Sequence, residues 1–480
     1  LNNRNNEAVR IYEETLNVVL ENNLNDLVIL NPFFKDGFYN YLKIINDNNV
    51  NTNSAFNLIS YLDSSDFSNF IREMIVKSNI QNEEIVNNLQ KKETLRNQIS
   101  GLRNDLTKIQ LADEIDREQE KDIMSKIEEY SYELNAINDL FEDNYQELNF
   151  LLNNTNYSLE KIQEAIDINE NIFLYTFYNE DLIILFVDQK NTDFRIIKNI
   201  KNDILLKIKN LRLLLEEPRS NVSRFNVGYD LYKILIEPFE SNIQFDDKIT
   251  VISDDIISSI PFASLLDNEI NGDNFSEQDF LIKKYGFSYL PSIESFYLLK
   301  NLKNTEYAKK FIGVGNPNFD NTFTQLPNTE SEVKFISENF ENNDTVLLLG
   351  NQANENLINT TNMDSEFMMF ATHALKANEV ENINEPAIVL SQNLGNSNDG
   401  YLTTSEILNK KFNSKLLILS ACNTASPDLS GDYYSGLTRS FFYSGSKNML
   451  TTKWAVETNS AELITTEFFE NNAKNFFEKL

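Results

Sequence analysis

Two stretches decide how this chain is read: FMMFATHA at residues 367–374 and KLLILSACNTA at residues 415–425. Each opens with an apolar run that is short and lacks polar alternation, the pattern of a strand buried on both faces. Each run ends on a reactive side chain, His373 in the first stretch and Cys422 in the second. These are the only histidine and the only cysteine among 480 residues. If the two strands are parallel neighbours, both side chains emerge at one sheet edge, where an imidazole can take the thiol proton and orient the nucleophile. The distance between them along the chain carries little by itself, and a lone cysteine after an apolar strand is more often a small buried hydrophobe. A serine triad built on Ser391 or Ser420 would have to borrow His373 and leave Cys422 idle.

Moving outward, more short apolar runs alternate with helical spacing. IFLYTFY (172–178) and DLIILFV (181–187) form an expected β-hairpin across Asn179 and Glu180. After them come KITVI (248–252), FIGVG (311–315), TVLLL (345–349), PAIVLS (386–391) and KNMLTT (447–452). Helices are expected near 329–340, 403–410, 435–444 and 459–470. Alternating strands and helices predict an α/β fold with a mostly parallel sheet covered on both faces, whose chemistry lies at the strands' C-terminal ends.

The N-terminal part differs. Residues 7–75 carry apolar residues at three- and four-residue steps and read as short helices. Leu95, Ile99, Leu102, Leu106 and Ile109 follow a 4-3-4-3 rhythm, as do Ile127, Tyr130, Leu134, Ile137 and Phe141. The charged DEIDREQEKD (113–122) between them suits the tip of a long antiparallel helical hairpin, a packing element or a partner-binding arm. The expected organisation is therefore an all-α region, with helices over 1–80 and the hairpin over 81–156, followed by the α/β module over 157–480.

Composition excludes several classes. Forty-two basic against 73 acidic residues give a formal charge of −31, which repels nucleic-acid phosphates and anionic lipid. The longest apolar runs, such as LIILFV (182–187), are far shorter than a membrane span, and the polar stretch NNRNNEA after Leu1 leads to the expectation of no signal peptide. One cysteine allows no internal disulfide and, with one histidine, no four-ligand Cys/His zinc site, so a cytoplasmic location is expected. FIGVGNPNF (311–319) lacks the third glycine of a dinucleotide site, and no phosphate-binding P-loop motif occurs. No cofactor is expected.

The segments FMMFATHA, LLILSACNTA, SGLTRSFFYSGSKNMLTTKWAV and ELITTEFFE resemble the histidine, cysteine and following motifs of the CHAT domain family. Upstream, YDLYKILIEPF, DDIISSIPFASLL, YLPSIESF, FIGVGNPNF, LPNTESEVKFI and LLLGNQANENLI resemble the same family in the same order. The likeness is sharpest from about 229 to 470. It extends more loosely to the N-terminal helices, which resemble the end of the TPR-like array that precedes many CHAT modules.

The resemblance implies a caspase-like α/β fold, a non-catalytic half at 157–300 and a half carrying the dyad at 301–480. It also implies peptide-bond hydrolysis with Cys422 as nucleophile and His373 as general acid/base. The backbone N–H groups of Cys422 and Ala374 would meet the oxyanion. The family usually has glycine at Ala374, so a side chain is expected where the backbone asks for positive φ, with reduced or lost activity as the consequence. Ser420 would line the primary specificity pocket, small and without counter-charge. Asp432, in SPDLSGDYYSG, matches an acidic family position and is either a pocket acid or a solvated loop acid. Trp454 would wall the substrate cleft or pack at its edge. The expected partners are a protein substrate and a protein activator bound through the N-terminal helices. A degenerate, non-enzymatic scaffold is the alternative, and a nucleotide-sensing module finds little support.

Overall fold

The computed structural model describes residues 10–12, 14–15, 32–48, 52–62, 83–110, 117–144, 158–217, 221–253, 256–301, 307–381, 383–392, 399–420, 436–454, 456 and 458–476. The chain divides into two compact units, Leu1–Arg72 with Phe150–Leu302 and Glu73–Asn149 with Lys303–Leu480. Among the described residues no helix is long and apolar enough to cross a membrane.

The first unit is built on β1 (Glu170–Tyr178), β2 (Asp181–Val187), β3 (Thr192–Ile197), β4 (Lys248–Ile252) and β5 (Gly286–Leu290), in the order β3-β2-β1-β4-β5. The hairpin read from the sequence is β1–β2, closed with Tyr178 opposite Asp181 and Asn179 at φ 54°. Asparagine tolerates that left-handed conformation, which is why a two-residue turn forms here. β1 pairs parallel with β4, and β4 with β5, whereas β1, β2 and β3 run antiparallel. This sheet is therefore mixed, its antiparallel part being the expected hairpin extended by β3. Side chains alternate along β1: Phe173 and Tyr175 pack beneath the helices Lys201–Glu216 and Asn226–Leu235, while Ile172 and Leu174 pack beneath Pro32–Asn48 and Thr52–Leu62. Burial on both faces explains the unbroken apolar run.

The second unit carries the parallel sheet: β6 (Lys309–Gly315), β7 (Thr345–Leu349), β8 (Asp364–Ala371), β12 (Asn413–Ser420) and β13 (Met449–Thr451), in the order β13-β12-β8-β6-β7. Every pairing in it is parallel. A second sheet of β9 (Ala374–Leu375), β10 (Ala387–Val389) and β11 (Tyr401–Thr403) is antiparallel, with β10 in the centre. On one face of the parallel sheet, Phe367, Met369, Leu416 and Ile418 pack with Val333 and Ile336 of the helix Pro327–Ser337 and Phe469 of the helix Thr458–Phe476. On the other, Met368, Phe370, Leu417 and Leu419 pack with Ile407, Leu437 and Phe441. The mixed α/β architecture, with a parallel sheet flanked by helices and a helical N-terminal region, is the fold expected of a caspase-like module.

Gly313 and Gly315 set how closely a helix approaches β6. A Cβ at Gly315 would lie 2.8 Å from the Thr329 carbonyl oxygen, and one at Gly313 would lie 2.4 Å from Val333. The G-x-G of FIGVG thus serves helix–sheet packing rather than a nucleotide. The hairpin helices Glu83–Gln110 and Arg117–Asn144 belong to this unit and bury Leu95, Ile99, Ile137 and Phe141 of the rhythm read from the sequence. Lys91 pairs with Glu133 across the hairpin at 2.8 Å, and the Gln90 side chain donates to the Leu408 carbonyl at 3.2 Å. Of the short helices expected over 7–75, residues 7–9, 13, 16–31, 49–51 and 63–75 lie outside the described residues.

Candidate active site

The strand order from β7 through β6, β8, β12 and β13 reverses direction between β6 and β8. In an open parallel sheet that reversal leaves a crevice at the strands' C-terminal ends, where ligands bind. The register aligns three strand ends there: Ala371 of β8 lies opposite both Gly315 of β6 and Ser420 of β12. His373 follows that row by two residues, and Cys422 follows Ser420 by two in the sequence. Cys422 and Asp432 lie outside the described residues, so the structure gives no sulfur position.

His373 is half-buried and held from several sides. Its Nε2 lies 2.8 Å from the Thr324 carbonyl oxygen. A carbonyl only accepts, so this bond assigns the proton to Nε2 and leaves Nδ1 as the basic nitrogen. Phe319 and Phe323 flank the ring, with centroids 5.1 and 5.7 Å away. The His373 carbonyl accepts from Val389 N–H at 2.9 Å, and the Thr372 hydroxyl donates to the Val389 carbonyl at 2.7 Å. The imidazole is thus positioned by the loop after β6 and by β10.

Ala374 sits in β9, opposite Ile388, and is not among the residues with positive φ. The expectation that this position needs glycine's left-handed backbone is therefore corrected. An ordinary strand conformation accepts a Cβ without strain. Because His373 bonds to Val389 and antiparallel bonds fall on alternate residues, the Ala374 N–H turns away from β10. Among the described residues β9 is the edge of its sheet, and that donor faces away from β10.

Ser420 ends β12 half-buried, and its hydroxyl donates to both carboxylate oxygens of Glu332, at 3.2 and 3.4 Å. Glu332 is fully buried and also accepts from the Thr465 hydroxyl. Burial raises its pKa to about 7, opposed by those two hydrogen bonds and aided by nearby Glu462. Ser391 is committed elsewhere: its hydroxyl donates to the Gly350 carbonyl at 2.8 Å and accepts from Asn318 N–H at 2.9 Å. Neither serine's proton is directed at His373. Trp454 lies half-buried three residues beyond β13, which pairs with β12.

Sequence reasoning missed three features. The Thr324 carbonyl leaves no trace, since every residue has one. Phe319 and Phe323 read as ordinary loop aromatics. Glu332 was legible: in LPNTESEVKFI it shares the spacing of buried Thr329, Val333 and Ile336, an acid on the apolar face of its helix.

An open parallel sheet flanked by helices, with a positioned histidine at its switch point, is the frame of a caspase-like α/β module. The family model of the CHAT domain matches residues 226–477, slightly more than half of the chain, and the chain belongs to that family, a caspase-like, peptidase-related one. No curated protein matches the chain.

Proposed function

We propose that the chain is a cysteine endopeptidase that cleaves a protein substrate through His373 and Cys422. The supporting observation is the aligned row of Gly315, Ala371 and Ser420, with His373 held at the switch point by Thr324. Cys422 follows the same row in the chain. In this reading, Nδ1 of His373 takes the thiol proton and the thiolate attacks the scissile carbonyl carbon, forming a C–S bond. The N–H groups of Ala374 and Cys422 stabilise the resulting oxyanion. His373 returns the proton to the departing amine as the C–N bond breaks, and water then hydrolyses the thioester.

Ser420, Asp432 and Trp454 would contribute to the substrate cleft, with an acid, Glu332, directly behind Ser420. The N-terminal helices, read as the tail of a TPR-like array, would recruit substrate or an activator in the cytoplasm. The scaffold alternative, helical repeats with a degenerate module, drew its best support from Ala374 in place of the family's glycine, and the extended backbone at Ala374 supports the enzyme reading instead. Incubation of wild type, Cys422→Ala and His373→Ala with a proteome-derived peptide library tests the proposal. New termini are expected with wild type only; equal cleavage by all three contradicts it.

A further inference from the structure

Glu332 is an unusual residue to bury. It is fully enclosed on a helix face that otherwise carries Thr329, Val333 and Ile336. A carboxyl removed from water costs free energy unless hydrogen bonds compensate it. Its compensation comes from two elements other than its own: Ser420, the last residue of β12, and Thr465, in the helix Thr458–Phe476. The carboxyl thus ties three elements together at the strand end from which the chain runs on to Cys422. Among the described residues the charged group that acts on it is Glu462 on the Thr465 helix, which repels it, while Glu330 and Lys334 on its own helix pair with each other at 2.6 Å.

We propose that Glu332 is a positioning residue: by clasping Ser420 against Thr465, it fixes the C-terminal end of β12 and thereby tunes the reactivity of Cys422, which follows Ser420 by two residues in the sequence. The inference rests on the peptidase reading, and its chemistry separates it from a charge effect. Removing a negative charge near a thiol lowers the thiol pKa, whereas releasing the thiol from an imidazole raises it toward that of an ordinary cysteine. Position and charge therefore predict opposite signs.

Because Cys422 is the only cysteine, the rate of iodoacetamide alkylation against pH reads this one site in the full-length protein. Glu332→Ala should raise the midpoint by about one pH unit. Ser420→Ala, which breaks the link without touching the carboxyl, should raise it as well. Glu332→Gln, which keeps an acceptor oxygen of the same reach, should restore a midpoint near wild type. An unchanged or lowered midpoint in Ser420→Ala overturns the proposal, whether or not Glu332→Ala folds. If His373→Ala shifts the midpoint and Ser420→Ala does not, the peptidase reading stands and this inference falls. If neither shifts it, both fall.

Discussion

Glu332 has a thermodynamic signature of its own. Its folded pKa of about 7 exceeds the ordinary carboxyl value of 4.5, because burial disfavours the charge. The folded state therefore holds the proton more tightly than the unfolded chain. The stabilisation is complete below pH 4.5 and is lost as pH rises through about 7. Across that window the loss amounts to about 3 kcal/mol. Glu332→Gln does not titrate, so its melting temperature relative to wild type should climb between pH 4.5 and 7.5. Parallel melting profiles for the two proteins would remove the buried-charge account. The candidate site was half legible at this scale. His373 and Cys422 stood out because each was alone of its kind at the end of an apolar strand. The Thr324 carbonyl and the conformation of Ala374 were not legible, since they depend on backbone geometry that residue identity does not encode.

At the scale of elements, the position of Glu332 depends on how closely its helix approaches β6. Gly315 permits the approach: a Cβ there would meet the Thr329 carbonyl, a backbone atom that cannot swing aside. Gly315→Ala should therefore cost about 1–3 kcal/mol, as overpacked sites do. It should also shift the alkylation midpoint of Cys422 upward, since the clasp on Ser420 moves with the helix. Chemical denaturation measures the first effect, and a variant as stable as wild type contradicts the packing argument. The elements that the sequence revealed are those with long apolar runs, such as IFLYTFY and FMMFA, whose burial on both faces suppresses polar alternation. TDFRII and GFSYL escaped notice as β3 and β5 because they are edge strands, mostly only partly buried, and polar residues interrupt their apolar ones. β9 is two residues long and is defined only by its partner β10. The mixed first sheet follows from the tight hairpin, which forces β2 antiparallel to β1, and no run of apolar residues announces strand direction.

For the whole molecule, the governing quantity is a formal charge of −31. Self-repulsion of that size destabilises the compact state, and salt screens it. Raising NaCl from about 10 to about 150 mM shortens the screening length from about 30 to about 8 Å, so the melting temperature should rise. A melting temperature that falls over this range would mean that attractive ion pairs, such as those of Glu170 with Lys248 and Lys300, outweigh the repulsion.

The most direct test of the account is the pH dependence of Cys422 alkylation in wild type and His373→Ala. A thiol served by the imidazole should react with a midpoint well below the ordinary cysteine value of about 8.5, and the variant should return it to that value. A wild-type midpoint already at the ordinary value, unchanged in the variant, would contradict the shared site.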